Sequence, residues 1–126
     1  MTFLTQPPTM GDVLKYEVNP NYTRETVPLL AGTAYPVGSV LGRITASGKY
    51  KLATSGGTDG AQSGAAVLLY TVDATLADAV GVVVVRGPAI LSRAALFYDE
   101  TVDDAAKIAT KISQLTTLGI VVRDTA

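Results

Sequence analysis

Val80–Leu91 reads VGVVVVRGPAIL, and this stretch decides the fold class. The consecutive valines branch at Cβ, which stiffens χ1 and favours strand over helix. Val80–Arg86 has a strand's length. Gly87-Pro88 stops it, because proline fixes φ and offers no N–H to a ladder. Ala89–Leu91 starts a second, shorter strand-like piece. The longest apolar run, Ala79–Val85, is far too short to cross a bilayer as a helix.

Working towards the N-terminus, Ala65–Val72 (AAVLLYTV) is another near-continuous apolar run of strand length. Ser55–Gly64 (SGGTDGAQSG) reads as a flexible Gly/Ser surface turn. Val37–Thr45 and Lys49–Ala53 read as paired strands, with Ser47-Gly48 as the turn, since glycine accepts positive φ. Residues 26–36 (TVPLLAGTAYP) are loop-like, punctuated by Pro28, Gly32 and Pro36. Residues 1–25 read as an arm. Within it Leu14, Tyr16 and Val18 alternate with Lys15 and Glu17, the period of a strand with one apolar face. Asn19-Pro20-Asn21 breaks that strand, and Pro7-Pro8 ahead of it cannot join a central ladder. A short strand, Val13–Val18, thus lacks an evident partner.

Towards the C-terminus, Ala94–Tyr98 is strand-like. One clear helix is predicted over Val102–Leu118, where Ala105, Ile108, Ala109, Ile112 and Leu115 form an apolar stripe. Thr101 is placed to cap it, with Asp104 three residues on. Asp103 and Lys107 are spaced to pair, and Gly119 ends the helix. Ile120–Arg123 is a last short strand. Many short strands, Gly/Pro turns and one late helix, with no βαβ alternation, exclude a doubly wound parallel sheet.

The chain has 126 residues, the size of one domain. Hydrophobic residues make up 48% and charged residues 17%, an apolar balance that points to surface covered by a partner. Net charge is −1 and the basic residues are scattered, so neither nucleic acid nor a membrane surface is an expected partner. The first residues have no basic stretch followed by an apolar one, so no secretory signal is expected.

Histidine and cysteine are both absent, which removes the commonest general base, the commonest metal ligand and any thiolate chemistry. Asp99, Glu100, Asp103 and Asp104 crowd the helix start, where they complement the dipole. Ser55–Gly64 lacks the Lys and Ser/Thr of a P-loop, and Asp59 alone cannot build a calcium loop. No catalytic residue, metal ligand or cofactor is expected. Arg86 reads equally as an interface anchor or as a charge guarding a strand end.

Several strings fall in a telling order: VLGRIT (Val40–Thr45) with GKY (Gly48–Tyr50), TDGA (Thr58–Ala61), AVLLYTVDAT (Ala66–Thr75), VVVVRGPA (Val82–Ala89) and LGIVVR (Leu118–Arg123). In this register, from Gly11 onward, the chain resembles the head decoration proteins of lambda-type tailed double-stranded DNA phages. The resemblance implies a mainly β fold, a small β-clip-like barrel with one helix in the C-terminal half, preceded by an extended N-terminal arm. It implies no enzyme. It implies a homotrimer at threefold positions on the outside of the expanded capsid, clamping neighbouring subunits of the major capsid protein against the pressure of packed DNA. On that footing Val13, Leu14, Lys15, Tyr16, Glu17 and Val18 are expected to add as a strand to the capsid protein. Arg86 and Pro88 are the expected trimer contacts. Ordering six residues costs roughly 6–12 kcal/mol. Burying Leu14, Tyr16 and Val18 returns about 5–8 kcal/mol. Four or so ladder bonds add about 2–6 kcal/mol. One arm is then marginal, and three on one trimer are firm. The competing readings are another virion component, in a tail or fibre, and a trimeric β-clip nucleotide hydrolase.

Overall fold

The computed structural model describes residues 9–124. In chain order the elements are α1 (Met10–Val13), β1 (Leu14–Glu17), α2 (Pro20–Thr23), β2 (Arg24–Leu29), β3 (Thr33–Tyr35), β4 (Val40–Arg43), β5 (Tyr50–Leu52), β6 (Ala66–Leu68), β7 (Val72–Ala74), β8 (Ala79–Val84), β9 (Ala89–Ser92), a 3₁₀ turn (Arg93–Ala95), α3 (Ala105–Thr116) and β10 (Ile120–Arg123). The fold is mixed α+β, with several small sheets and one long helix near the C-terminus.

Five strands pair in a ring, β2-β5-β4-β6-β8, with β8 returning to β2. Its β2–β8 seam is a full antiparallel ladder from Arg24–Val84 to Leu29–Ala79. Its β2–β5 seam is a single parallel pair, Leu29–Tyr50. Two further sheets flank the ring: β1-β9-β10, and the pair β3-β7.

The valine run makes sense at the packing level. Val83 and Val85 enter one core with Val27, Leu29, Tyr35, Leu41 and Leu68. Val84 enters a second core with Val40, Val67, Leu91, Leu115 and Ile120, and Val82 packs against it. From Val82 onward both faces of β8 meet apolar neighbours, so the period-two alternation disappears there, whereas Val80 near its start is exposed.

Some expectations need correction. Residues 26–36 are not loop: β2 and β3 occupy most of them. Pro28 misleads, because β2 has a long ladder on one side only and the missing N–H is tolerated there. Val27 and Leu29, both buried, carry the alternation that marks the strand. Ala65–Val72 is not one strand; β6 and β7 are separated at Leu69–Thr71, where the chain leaves the ring for the small sheet. Ala94–Tyr98 is a 3₁₀ turn followed by one bridge, Ser39–Phe97. The predicted helix starts later, at Ala105. Asp104 caps it, accepting from the Lys107 N–H at 2.8 Å. Thr101 instead donates back to Asp99 and accepts from the Ser55 N–H at 2.9 Å. The Asp103–Lys107 pair forms at 2.8 Å.

The Gly/Ser segment 55–64 is tied down rather than free. Lys111, buried on α3, donates its ammonium to the Gln62 carbonyl. Gln114 accepts from the Gly64 N–H at 2.7 Å. The Thr45 N–H bonds the Asp59 carbonyl at 2.9 Å. Gly42 makes the close approach possible, since a Cβ there would lie 2.2 Å from the Ala61 carbonyl oxygen.

The extended arm is likewise revised. Residues 1–8 lie outside the described residues. From Thr9 onward the chain is helix, strand and helix laid on the body, and β1 pairs antiparallel with β9 of its own chain. Val13 is wholly buried in the second core. It sits beside Gly38, where a Cβ would come 3.3 Å from its methyl group. A strand with one apolar face had no visible partner in the sequence because that partner, β9, arrives some seventy residues later.

Candidate docking face

The β1-β9-β10 sheet is built on β9, with β1 antiparallel on one side and β10 parallel on the other. Successive side chains alternate between faces. Ala89 with Ile120, and Leu91 with Val122 and Leu14, point inward and are buried or half-buried. Between those rows Tyr16, Ile90 and Val121 stand side by side on the outer face. Tyr16 is 52% exposed and Val121 40%. Val18, 51% exposed, adjoins this row through its N–H to the Pro88 carbonyl at 3.0 Å. Leu118 adjoins it through its carbonyl, which accepts from the Gly87 N–H at 2.9 Å. The result is an apolar face ending at β1, whose other edge has no strand partner among the described residues.

The segment carrying β1 is clasped at its far end. Glu17 points inward, and its side chain is only 8% exposed. Its carboxylate accepts from the Thr23 hydroxyl at 2.5 Å and from Arg24 Nε at 3.0 Å, and it pairs with the Arg24 terminal nitrogen. Burial opposes the charge. The hydrogen bonds from Arg24 and Thr23, with the Arg24 charge, outweigh it and hold the carboxyl below its ordinary value. The Arg24 guanidinium is raised in turn by its bond to Glu17. At the near end a bulge between Leu14 and Tyr16 breaks the register at Lys15, whose ammonium donates to the Gly11 carbonyl at 2.9 Å.

The residues singled out from sequence therefore divide. Tyr16, Val18 and Pro88 come together on one exposed face. Lys15 is exposed beside it. Val13, Leu14 and Glu17 are turned into the body. Arg86 lies apart from the face. Its guanidinium donates to the Tyr22 carbonyl, sits 5.4 Å from the Tyr22 ring centroid and pairs with Glu25 at 3.4 Å. Ile90, Leu118 and Val121 complete the face without having been singled out. The alternation in Ile120–Arg123 could have flagged Val121, but only the pairing shows that it lines up with Tyr16.

Among the described residues no group of three or more metal-ligating side chains gathers. The model of one protein family, Bacteriophage lambda head decoration protein D, matches residues 3–120. The chain belongs to this family. Membership makes it a phage head decoration protein, associated with the capsid. No curated protein matches the chain.

Proposed function

We propose that this decoration protein sits as a homotrimer at the threefold positions of the expanded icosahedral shell, on its outer surface, and clamps neighbouring major capsid protein subunits against DNA pressure. The observation that carries the docking half of this reading is the exposed row Tyr16–Ile90–Val121, which runs to an edge of β1 that is unpaired among the described residues. An apolar face beside a free strand edge suits β-augmentation: main-chain bonds give affinity, and the flanking side chains give selectivity. The closed ring of five strands supports the small β-clip-like barrel expected of such a protein.

The docking contacts are then Tyr16 and Val18, not the whole of Val13–Val18. Since Val13 and Glu17 hold the segment to the body, deleting residues 1–18 would damage the fold along with the contact. A point change on the exposed face is the cleaner probe. The test is co-sedimentation of the full chain and of Tyr16→Asp with expanded and unexpanded empty shells of the parent virus. The full chain pellets with expanded shells only, and Tyr16→Asp loses at least tenfold in affinity while keeping its circular dichroism spectrum. Equal binding by both chains refutes the face as the dock. Absence of binding by either refutes the capsid reading and favours a tail or fibre component.

A further inference from the structure

The loop joining β7 to β8 carries Leu76 at its tip, 97% exposed. A single exposed leucine is ordinary on a protein surface, but this one stands on a braced tip. Asp73 accepts from the Thr75 N–H at 3.0 Å and from its hydroxyl. Asp78 accepts from the Ala31 N–H at 2.8 Å and pairs with Lys49. Leu76 is thus a preorganised apolar knob, with little conformational freedom left to lose on contact.

The same chain carries a socket. A cavity of about 450 Å³ opens between α1 and the segment joining β6 to β7, lined chiefly by Met10, Gly11, Val37, Leu69 and Tyr70. Dry apolar cavities near a third of that size already take a benzene ring, so a leucine side chain fits. Knob and socket lie close along the chain. Thr71, on the socket rim, is five residues from Leu76, at most about 18 Å away when fully extended. Yet the near-complete exposure of Leu76 means that the knob does not fill its own chain's socket.

Charge agrees with the match. Lys15 places its ammonium on the Gly11 carbonyl at the socket. The ion pairs of the described residues include neither Lys15 nor Asp73, which stands three residues from the knob. Asp12, the nearby acid on α1, is turned back onto Thr9, accepting from its N–H at 2.8 Å. A cation at the socket and an acid at the knob favour their approach.

We infer that Leu76 of one copy seats in the Met10–Val37–Tyr70 cavity of the next, with Asp73 approaching Lys15 of that neighbour. Knob and socket are different patches, so the contact is heterologous and generates a ring when the rotation closes. This deepens the trimer reading above by naming the surface through which copies meet. It assigns that role to neither Arg86 nor Pro88.

The chain has no cysteine, so introduced thiols report without background. A Cβ at Gly11 meets only the Thr9 hydroxyl, at 3.8 Å, and Leu76 is free of the core, so both positions accept the change. Mild oxidation of the full chain carrying Leu76→Cys and Gly11→Cys should give a disulfide-linked ladder reaching three copies on a non-reducing denaturing gel, which collapses to one copy on addition of a thiol reductant. Each single variant can link two at most. Leu76→Asp should shift the light-scattering mass at 10 μM, as a round working concentration of about that order, from three copies towards one, with an unchanged fold. A double variant that stays unlinked, or a Leu76→Asp chain that stays trimeric, overturns the contact and leaves the shell-binding reading standing. A wild-type chain that is monomeric overturns both this contact and the trimer. If the ladder appears only after removal of residues 1–8, those residues are the occupant of the cavity and the contact is wrong.

Discussion

Val13→Ala tests the most consequential feature of the fold, the anchoring of the N-terminal segment to its own body. Val13 is wholly buried, against Gly38 and among Val37, Leu91 and Ala95. The change removes two methyl groups, about 1.6 kcal/mol of transfer free energy. The backbone of Gly38 and Ala95 lines the site and cannot collapse freely, so a cavity term brings the total to about 2–3 kcal/mol. With a urea m-value of roughly 1–2 kcal/mol/M for a domain of this size, the unfolding midpoint should fall by about 1–3 M. Val18→Ala, five residues on and half exposed, is the matched control and should move it by less than about 0.5 M on the usual surface scale. Both are read by equilibrium urea unfolding at one fixed protein concentration, because self-association couples to stability. If Val13→Ala leaves the midpoint where Val18→Ala leaves it, Val13 is not part of the core, and the free extended arm expected from sequence is the better description.

Three further predictions follow from the same packing. Glu17→Gln should cost about 1–3 kcal/mol, since Arg24 keeps its charge without its partner. The Glu17 carboxyl is depressed on folding, so its stabilising effect is complete above the ordinary value of 4.5 and is lost as pH falls through the folded value. The difference between wild type and variant should therefore shrink below pH 4.5, and a pH-independent difference in urea midpoint would refute the clasp. Gly87→Ala should prevent normal folding, because its Cβ would lie 1.7 Å from the Gly119 carbonyl oxygen. Gly81→Ala meets only the movable ends of Leu29 and Leu68, at 2.8 and 2.9 Å, and should fold with reduced stability; soluble yield and circular dichroism distinguish the two. Burial holds the Lys111 amine below its ordinary 10.5. The unfolded chain binds that proton more tightly, so the Lys111 contribution to stability rises as pH climbs towards 10.5. Lys111→Met should abolish that rise relative to wild type, which urea midpoints from pH 7 to 10 would reveal.

The contrast between β8 and β1 explains what could be read from the chain alone. Four valines before Gly-Pro identify a buried strand and its end without help from any other segment, and α3 declares itself by its period and by the Asp103–Lys107 spacing, although Ala105 and Ala109 of the expected stripe are exposed and Lys111 is buried instead. For β1 the alternation gives the strand and its two faces, but not the neighbour. The first registration, Leu14 with Leu91, joins residues far apart in the sequence. β2 was hidden for a related reason, since Pro28 looks like a break until the one-sided ladder around it is known. Half of the docking face was therefore legible as Tyr16, Val18 and Pro88, and the other half was not.

By itself the sequence determined a strand-rich domain with one late helix, an absence of histidine and cysteine chemistry, and the strings that resemble a phage head decoration protein. These rest on local properties: side-chain branching, periodicity, residue type and order. Only the tertiary structure decided that Val13–Glu17 belongs to the body, that Arg86 is engaged by Tyr22 and Glu25, and that Tyr16, Ile90 and Val121 share a row. Those facts depend on which distant strands pair and in what register. A one-residue slip would turn each side chain to the opposite face, so the exposed row exists only once the long-range ladder has formed.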